Sequence, residues 1–109
     1  VDPLRQALEM DPENIHVHLA LGWCYKRIDR LDLAIQALEE AMEVMPEEGI
    51  IHYNLACYWS LVKNPSLAIQ YLAQSFELDP SYRDMVADER DFDLIREEPK
   101  FRSLMSVIV

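Results

Sequence analysis

Glycine is nearly missing from this chain: Gly22 and Gly49 are the only two in 109 residues. That scarcity excludes the phosphate-cradling loops G-x-x-x-x-G-K-[ST] and G-x-G-x-x-G, whose glycines stand much closer together. No H-E-x-x-H metal motif and no G-x-S-x-G nucleophile turn occurs either. The two cysteines, Cys24 and Cys57, form no C-x-x-C pair and no zinc-ligand spacing. Both are expected as reduced, mostly buried thiols. Basic residues are few, 10 Lys and Arg against 20 Asp and Glu, for a formal net charge of −10. Such a surface repels a phosphate backbone and an anionic lipid face, so neither nucleic acid nor membrane is expected as a partner. No apolar run of about 18 residues exists to cross a bilayer. No basic stretch leading into an apolar core opens the chain, so no secretory signal is read. With the reduced thiols, this points to the cytoplasm.

Catalytic chemistry also lacks its parts. His16 and His18 are two residues apart, about 200° around a helix axis, and cannot share a metal. No cysteine–histidine pair comes with a third orienting group. The carboxylates are strung along exposed helix faces and form no acid pair. No catalytic residue, metal or cofactor is assigned, and an enzyme is not expected.

What the chain does have is a repeated code. His18, Leu21, Gly22 and Tyr25 are followed by Ala34, Leu38, Ala41 and Pro46. The code returns as His52, Leu55, Ala56 and Trp59, then Ala68, Leu72, Ser75 and Pro80. Pro12, Pro46 and Pro80 mark the interval: 46 − 12 and 80 − 46 are both 34. Each period holds two amphipathic segments with apolar residues at helical spacing. A helix pair cannot bury its apolar faces alone, so it stacks on the next pair. Small residues belong where helices cross closely, and large ones fill the spaces between. Prolines stand where the second helix ends. The expected fold class is all-α, a solenoid of antiparallel helix pairs.

At these residues the chain resembles the tetratricopeptide repeat family, whose pattern is Trp-x2-Leu-Gly-x2-Tyr, Ala-x3-Phe and Pro. His18 and His52 stand at the Trp position, Leu38 and Leu72 at the Phe position, and Ala56 replaces Gly in the second unit. The resemblance implies one domain over 1–109. Residues 1–12 are read as the second helix of a truncated repeat, 13–46 as repeat one and 47–80 as repeat two. Because the chain opens on Val1 inside a unit, it is expected to be a piece of something longer or a processed product. Helices are expected over 2–10, 14–28, 32–45, 50–62 and 66–78, with Asn14 and Ser66 as N-caps. Their core stripes run from His18 to Ile28 and from His52 to Val62. Residues 81–109 break the code after a short helix at about 81–89. Asp91, Phe92, Asp93, Leu94, Arg96, Pro99, Phe101 and Leu104 are similar to a divergent end unit found in this family. Its expected job is to cover the last stacking face.

The resemblance also implies a function: first helices of the repeats line a concave groove that binds a peptide or partner helix. The groove residues carried over are His16, Leu19, Trp23, Lys26 and Arg27 in repeat one, and Ile50, Tyr53, Asn54 and Cys57 in repeat two, with Ser60 on the same stripe. Trp23 and Tyr53 are of the type that anchors interfaces, unless they pack on each other. Lys26 and Arg27, with Arg30 near, form a basic spot suited to an acidic group on the partner. Some members clamp a terminal carboxylate with Lys, Asn and Arg. The matching places here are Leu19, Trp23, Asn54, Ala87 and Asp91; only Asn54 fits, so that clamp is expected to be absent. The second reading is an assembly module, a homo-oligomer joined through open ends or through Leu104, Val107, Ile108 and Val109.

Overall fold

Among the described residues, five of six α-helices are stacked in chain order before the pattern changes. The structure is a computed structural model that describes residues 2–106. Its elements are α1 (Asp2–Met10), α2 (Ile15–Arg27), α3 (Leu31–Val44), α4 (Gly49–Leu61) and α5 (Pro65–Leu78). Two 3₁₀ segments, Pro80–Asp88 and Arg90–Ile95, precede α6 (Pro99–Ser106). No strand occurs among the described residues. α2 pairs with α3 and α4 with α5, while α3 against α4 joins the two hairpins. The described residues extend 43 × 27 × 20 Å, the long body expected of stacked hairpins.

Local chemistry sets the helix ends. The Asn14 side chain accepts from the Val17 N–H at 3.3 Å, capping α2 as its sequence position predicts. At α5 the cap is Asn64, which accepts from the Leu67 N–H at 3.2 Å; Ser66 lies inside the helix. Pro65 explains the shift. Its fixed φ and missing N–H suit the first helical position, so the helix starts earlier than expected. Between the helices of each hairpin the chain turns through a left-handed residue, Asp29 at φ 60° and Lys63 at φ 65°. The two turns share one bonding scheme. Arg30 N–H donates to the Tyr25 carbonyl, and Asn64 N–H to that of Trp59, both at 2.9 Å. The left-handed residues bond one carbonyl further on, at Lys26 and Ser60. This is a Schellman ending built without glycine.

The small-residue code is observed as packing. Ala34, Ala41, Ala56, Ala68 and Ser75 are fully buried, as are Leu21, Leu38, Leu55 and Leu72. A Cβ on Gly22 would stand 3.3 Å from the Leu38 side chain and 3.4 Å from the Tyr58 ring, so α2 meets its neighbours closely there. His18 and His52 are buried, and each Nε2–H donates to the carbonyl of a preceding proline, Pro12 at 2.7 Å and Pro46 at 2.9 Å. The histidine at the family's Trp position thus fastens each helix pair to the loop before it. Each buried Nδ1 has no protein partner.

Two expectations about the core need correction. Ile28 and Val62 are 61% and 39% exposed and not core. Both are C-cap residues, where the backbone leaves the helix and the spacing no longer predicts direction. Trp59 is only half-buried. The short helix expected at about 81–89 is present over 80–88 and is of 3₁₀ type; only Val86 is buried there, so no helical apolar stripe holds the segment down.

Because an L-residue in the left-handed region costs roughly 1–2 kcal/mol, glycine at the turn relieves strain at Lys63. Lys63→Gly is expected to raise stability by about 0.5–1 kcal/mol after the added unfolded-state entropy is counted. Urea unfolding, with an unchanged slope and a higher midpoint, checks this.

Candidate functional site

The stripe expected to line the groove splits into an open half and a covered half. On α2, Trp23 is 53% exposed, His16 and Arg27 are exposed, and Leu19 and Lys26 are half-buried. On α4, Tyr53 is 2% exposed, Cys57 and Ser60 are buried, and Ile50 and Asn54 are half-buried. The cover is the chain's own end. Residues 89–95 lie against α4, and the segment also reaches α2.

Phe92, fully buried, meets Tyr53 edge-on, with ring centroids 5.6 Å apart and planes at 85°. Tyr82 stacks on the same Tyr53 ring at 5.4 Å. Gly49 makes room for it: a Cβ there would come within 2.7 Å of the Tyr82 ring edge. Phe101 of α6 closes the group, 6.1 Å from Phe92. Polar contacts fix the register. Ser60 Oγ donates to the Asp91 carbonyl at 2.6 Å, and Lys26 Nζ donates to the Asp91 carboxylate at 2.8 Å. The Asp91 N–H donates in turn to the Glu89 side chain, which caps the second 3₁₀ segment. Arg96 staples the two 3₁₀ segments together. Its guanidinium donates to the carbonyls of Val86 at 3.0 Å and Glu89 at 2.7 Å, and to the Asp93 carboxylate at 2.9 Å. Arg83 lies over the Phe76 ring of α5 and donates to the Leu104 carbonyl of α6 at 2.8 Å. The end unit therefore lies against α4 and α5 and buries the stripe of Tyr53, Cys57 and Ser60.

Several site residues are placed differently from expectation. Trp23 does not pair with Tyr53. It carries the Arg27 guanidinium 4.8 Å above its ring, and lines a shallow depression with Cys24, Arg27 and Ile28. Lys26 is engaged by Asp91. Tyr53 and Cys57 lie out of a ligand's reach beneath the cover. Burial pushes the Cys57 thiol well up, and the nearby Asp91 and Glu89 carboxylates add to this. Burial raises the Tyr53 phenol likewise. Both groups stay neutral, and a buried thiol without thiolate character is a poor nucleophile. Among the described residues, no group of three or more His, Cys, Asp and Glu side chains could hold a metal ion.

The sequence reading missed the pairing of Lys26 with Asp91, 65 residues apart, because a period of 34 relates repeats and not a repeat to its cap. One signal was present. Asp91 falls at a place where the clamping members of the resembled family carry a cation, and here it brings a carboxylate to Lys26.

Stacked hairpins, small residues at the crossings and the recurring Schellman turns agree with comparison to known families. The tetratricopeptide repeat family model matches residues 4–56. This match places residues 4–56 in the tetratricopeptide repeat family. No curated protein matches the sequence. Tetratricopeptide repeats generally mediate protein–protein interaction or scaffolding. No helix among the described residues is long and apolar enough to cross a membrane. Within this chain, a covered Cys57 and a seated Phe92 are two readouts of one arrangement. A maleimide is expected to label Cys57 at least roughly tenfold more slowly in the folded chain than in urea. Phe92→Ala should cost about 3–5 kcal/mol and speed labelling at Cys57. Mass spectrometry of the two cysteine peptides checks both.

Proposed function

We propose that this chain is a protein-interaction module that holds a partner segment on the α2 half of its concave face. The observation that carries this reading is Trp23: a large ring, 53% exposed, with Arg27 stacked on it and Ile28 beside it. Isolated exposed apolar residues are ordinary. An exposed tryptophan topped by an arginine, on the face this family uses for contact, is of the anchor type. His16, Leu19, Trp23 and Arg27 are the residues assigned to the partner, with Lys26 held by Asp91 at their edge. Ile50 and Asn54 border the covered half, and Tyr53 and Cys57 support the cover from below.

The second reading is assembly, favoured by Met10, which is 90% exposed at the end of α1. Copies or neighbouring domains would join at such an open end. Of the apolar tail assigned to this role, Leu104 is half-buried in α6, and Val107, Ile108 and Val109 lie outside the described residues. Sedimentation at rising concentration tests it: a strict monomer throughout removes self-assembly.

For the interaction reading, partners are captured from source lysate with the native chain and with Trp23→Ala. Tyr53 is left intact, since truncating it would damage the core. If Trp23 is an anchor, its loss weakens binding by about 2 kcal/mol or more, with the helical circular dichroism unchanged. Equal capture by a folded Trp23→Ala chain rejects the α2 face as the site.

A further inference from the structure

The chain carries an example of what its own concave face accepts. Residues 89–95 cross α4 with an aromatic anchor, Phe92 against Tyr53, and with a main-chain carbonyl held by Ser60. A carboxylate, that of Asp91, meets the cation of Lys26 at 2.8 Å. The segment is an acidic stretch around a large apolar side chain. α2 offers the matching surface one period earlier: 53 − 19 and 57 − 23 are both 34, so Leu19 answers to Tyr53 and Trp23 to Cys57. Among the described residues nothing covers it to the same degree, since Trp23 remains half open. Arg27 answers to Leu61 and adds a cation that α4 lacks at that place. Its guanidinium lies over the Trp23 ring and makes no ion pair among the described residues. In a chain of net charge −10, an unpaired cation against an exposed ring is a local exception.

We infer that the α2 face selects an acidic segment with an aromatic or large aliphatic anchor. Its carboxylate meets Arg27, and its anchor lies on Trp23 and Leu19. The inference rests on the interaction reading above and names the chemistry of the partner. The long-range field of the chain repels an acidic ligand, so selection works at contact range, where a charge-assisted bond to an arginine is strong and directional. Repeat geometry supplies the rest: the α2 face is built on the same backbone frame as the α4 face that already holds such a segment.

The test uses the full chain and a capped synthetic peptide spanning residues 88–95 (DERDFDLI) as probe. The indole N–H resonance of Trp23 and the ring-proton resonances of Tyr53 are followed by NMR during titration, with the Trp59 indole N–H as internal reference. The expected result is a saturable shift at Trp23 and none at Trp59 or Tyr53. Replacing both peptide residues Asp91→Asn and Asp93→Asn should weaken binding at least about tenfold, the loss of one charge-assisted bond. Peptide Phe92→Ser should remove it. In the Arg27→Gln chain the acidic and amide peptides should bind alike. Equal binding of the acidic and amide peptides to the native chain overturns the acidic preference, while the interaction reading stands on the Trp23 shift itself. A shift at Tyr53 instead of Trp23 means exchange with the resident segment on α4 and overturns the α2 assignment. Silence at Trp23 up to millimolar peptide overturns the inference; the interaction reading then falls only if Trp23→Ala also leaves partner capture unchanged.

Discussion

The contact between Phe92 and Tyr53 is the one on which the two parts of the molecule depend. Tyr53 belongs to the periodic part and Phe92 to the part that breaks the period. Each is almost wholly removed from water, and each ring covers part of the other. Tyr82 and Phe101 complete the group from two further elements, so a single aromatic cluster joins α4, both 3₁₀ regions and α6. Around it the polar contacts are few and specific. Ser60 and Lys26 each take hold of Asp91, one at the main chain and one at the side chain. Apolar burial supplies the driving force, and these two bonds fix which residue of the segment sits where.

The periodic part rests on a different constraint, the closeness of helix crossings. Gly22, Ala34, Ala41, Ala56, Ala68 and Ser75 are all buried, and at Gly22 an added Cβ would press within 3.3 Å of the Leu38 side chain. Leucines of both hairpins fill what remains. Even the one hydroxyl in this set is satisfied internally, Ser75 Oγ donating to the Leu72 carbonyl at 2.7 Å. The histidines add a polar fastening that a Trp at the same place would make differently. Each takes hold of the loop that precedes its hairpin through a proline carbonyl, an acceptor left free where the chain leaves the previous helix.

How much of this was legible in the sequence follows from range. Helix positions, small crossings and buried leucines are set by neighbours three, four and 34 residues away, and a repeat displays those relations in its own text. Asn14 was readable as a cap because its partner lies three residues on. The Asn64 cap was missed because Pro65 occupies a position that reads equally well as a turn. The exposure of the first-helix stripe was half legible. Trp23 and Arg27 lie where the stripe puts them, whereas Tyr53 and Cys57 lie on the right stripe beneath a cover. Nothing in the period announces that cover, because Phe92 and Asp91 have no counterpart one interval earlier. The sign of Asp91 was the only local hint.

Covering α4 also fixes a length. Neighbouring helices stand roughly 8–10 Å apart, and an extended chain advances about 3.3 Å per residue. The face left open on α2 is therefore crossed in about three residues. A segment held there as proposed cannot draw its discrimination from area, so each side chain on either partner counts individually, much as in a short linear motif.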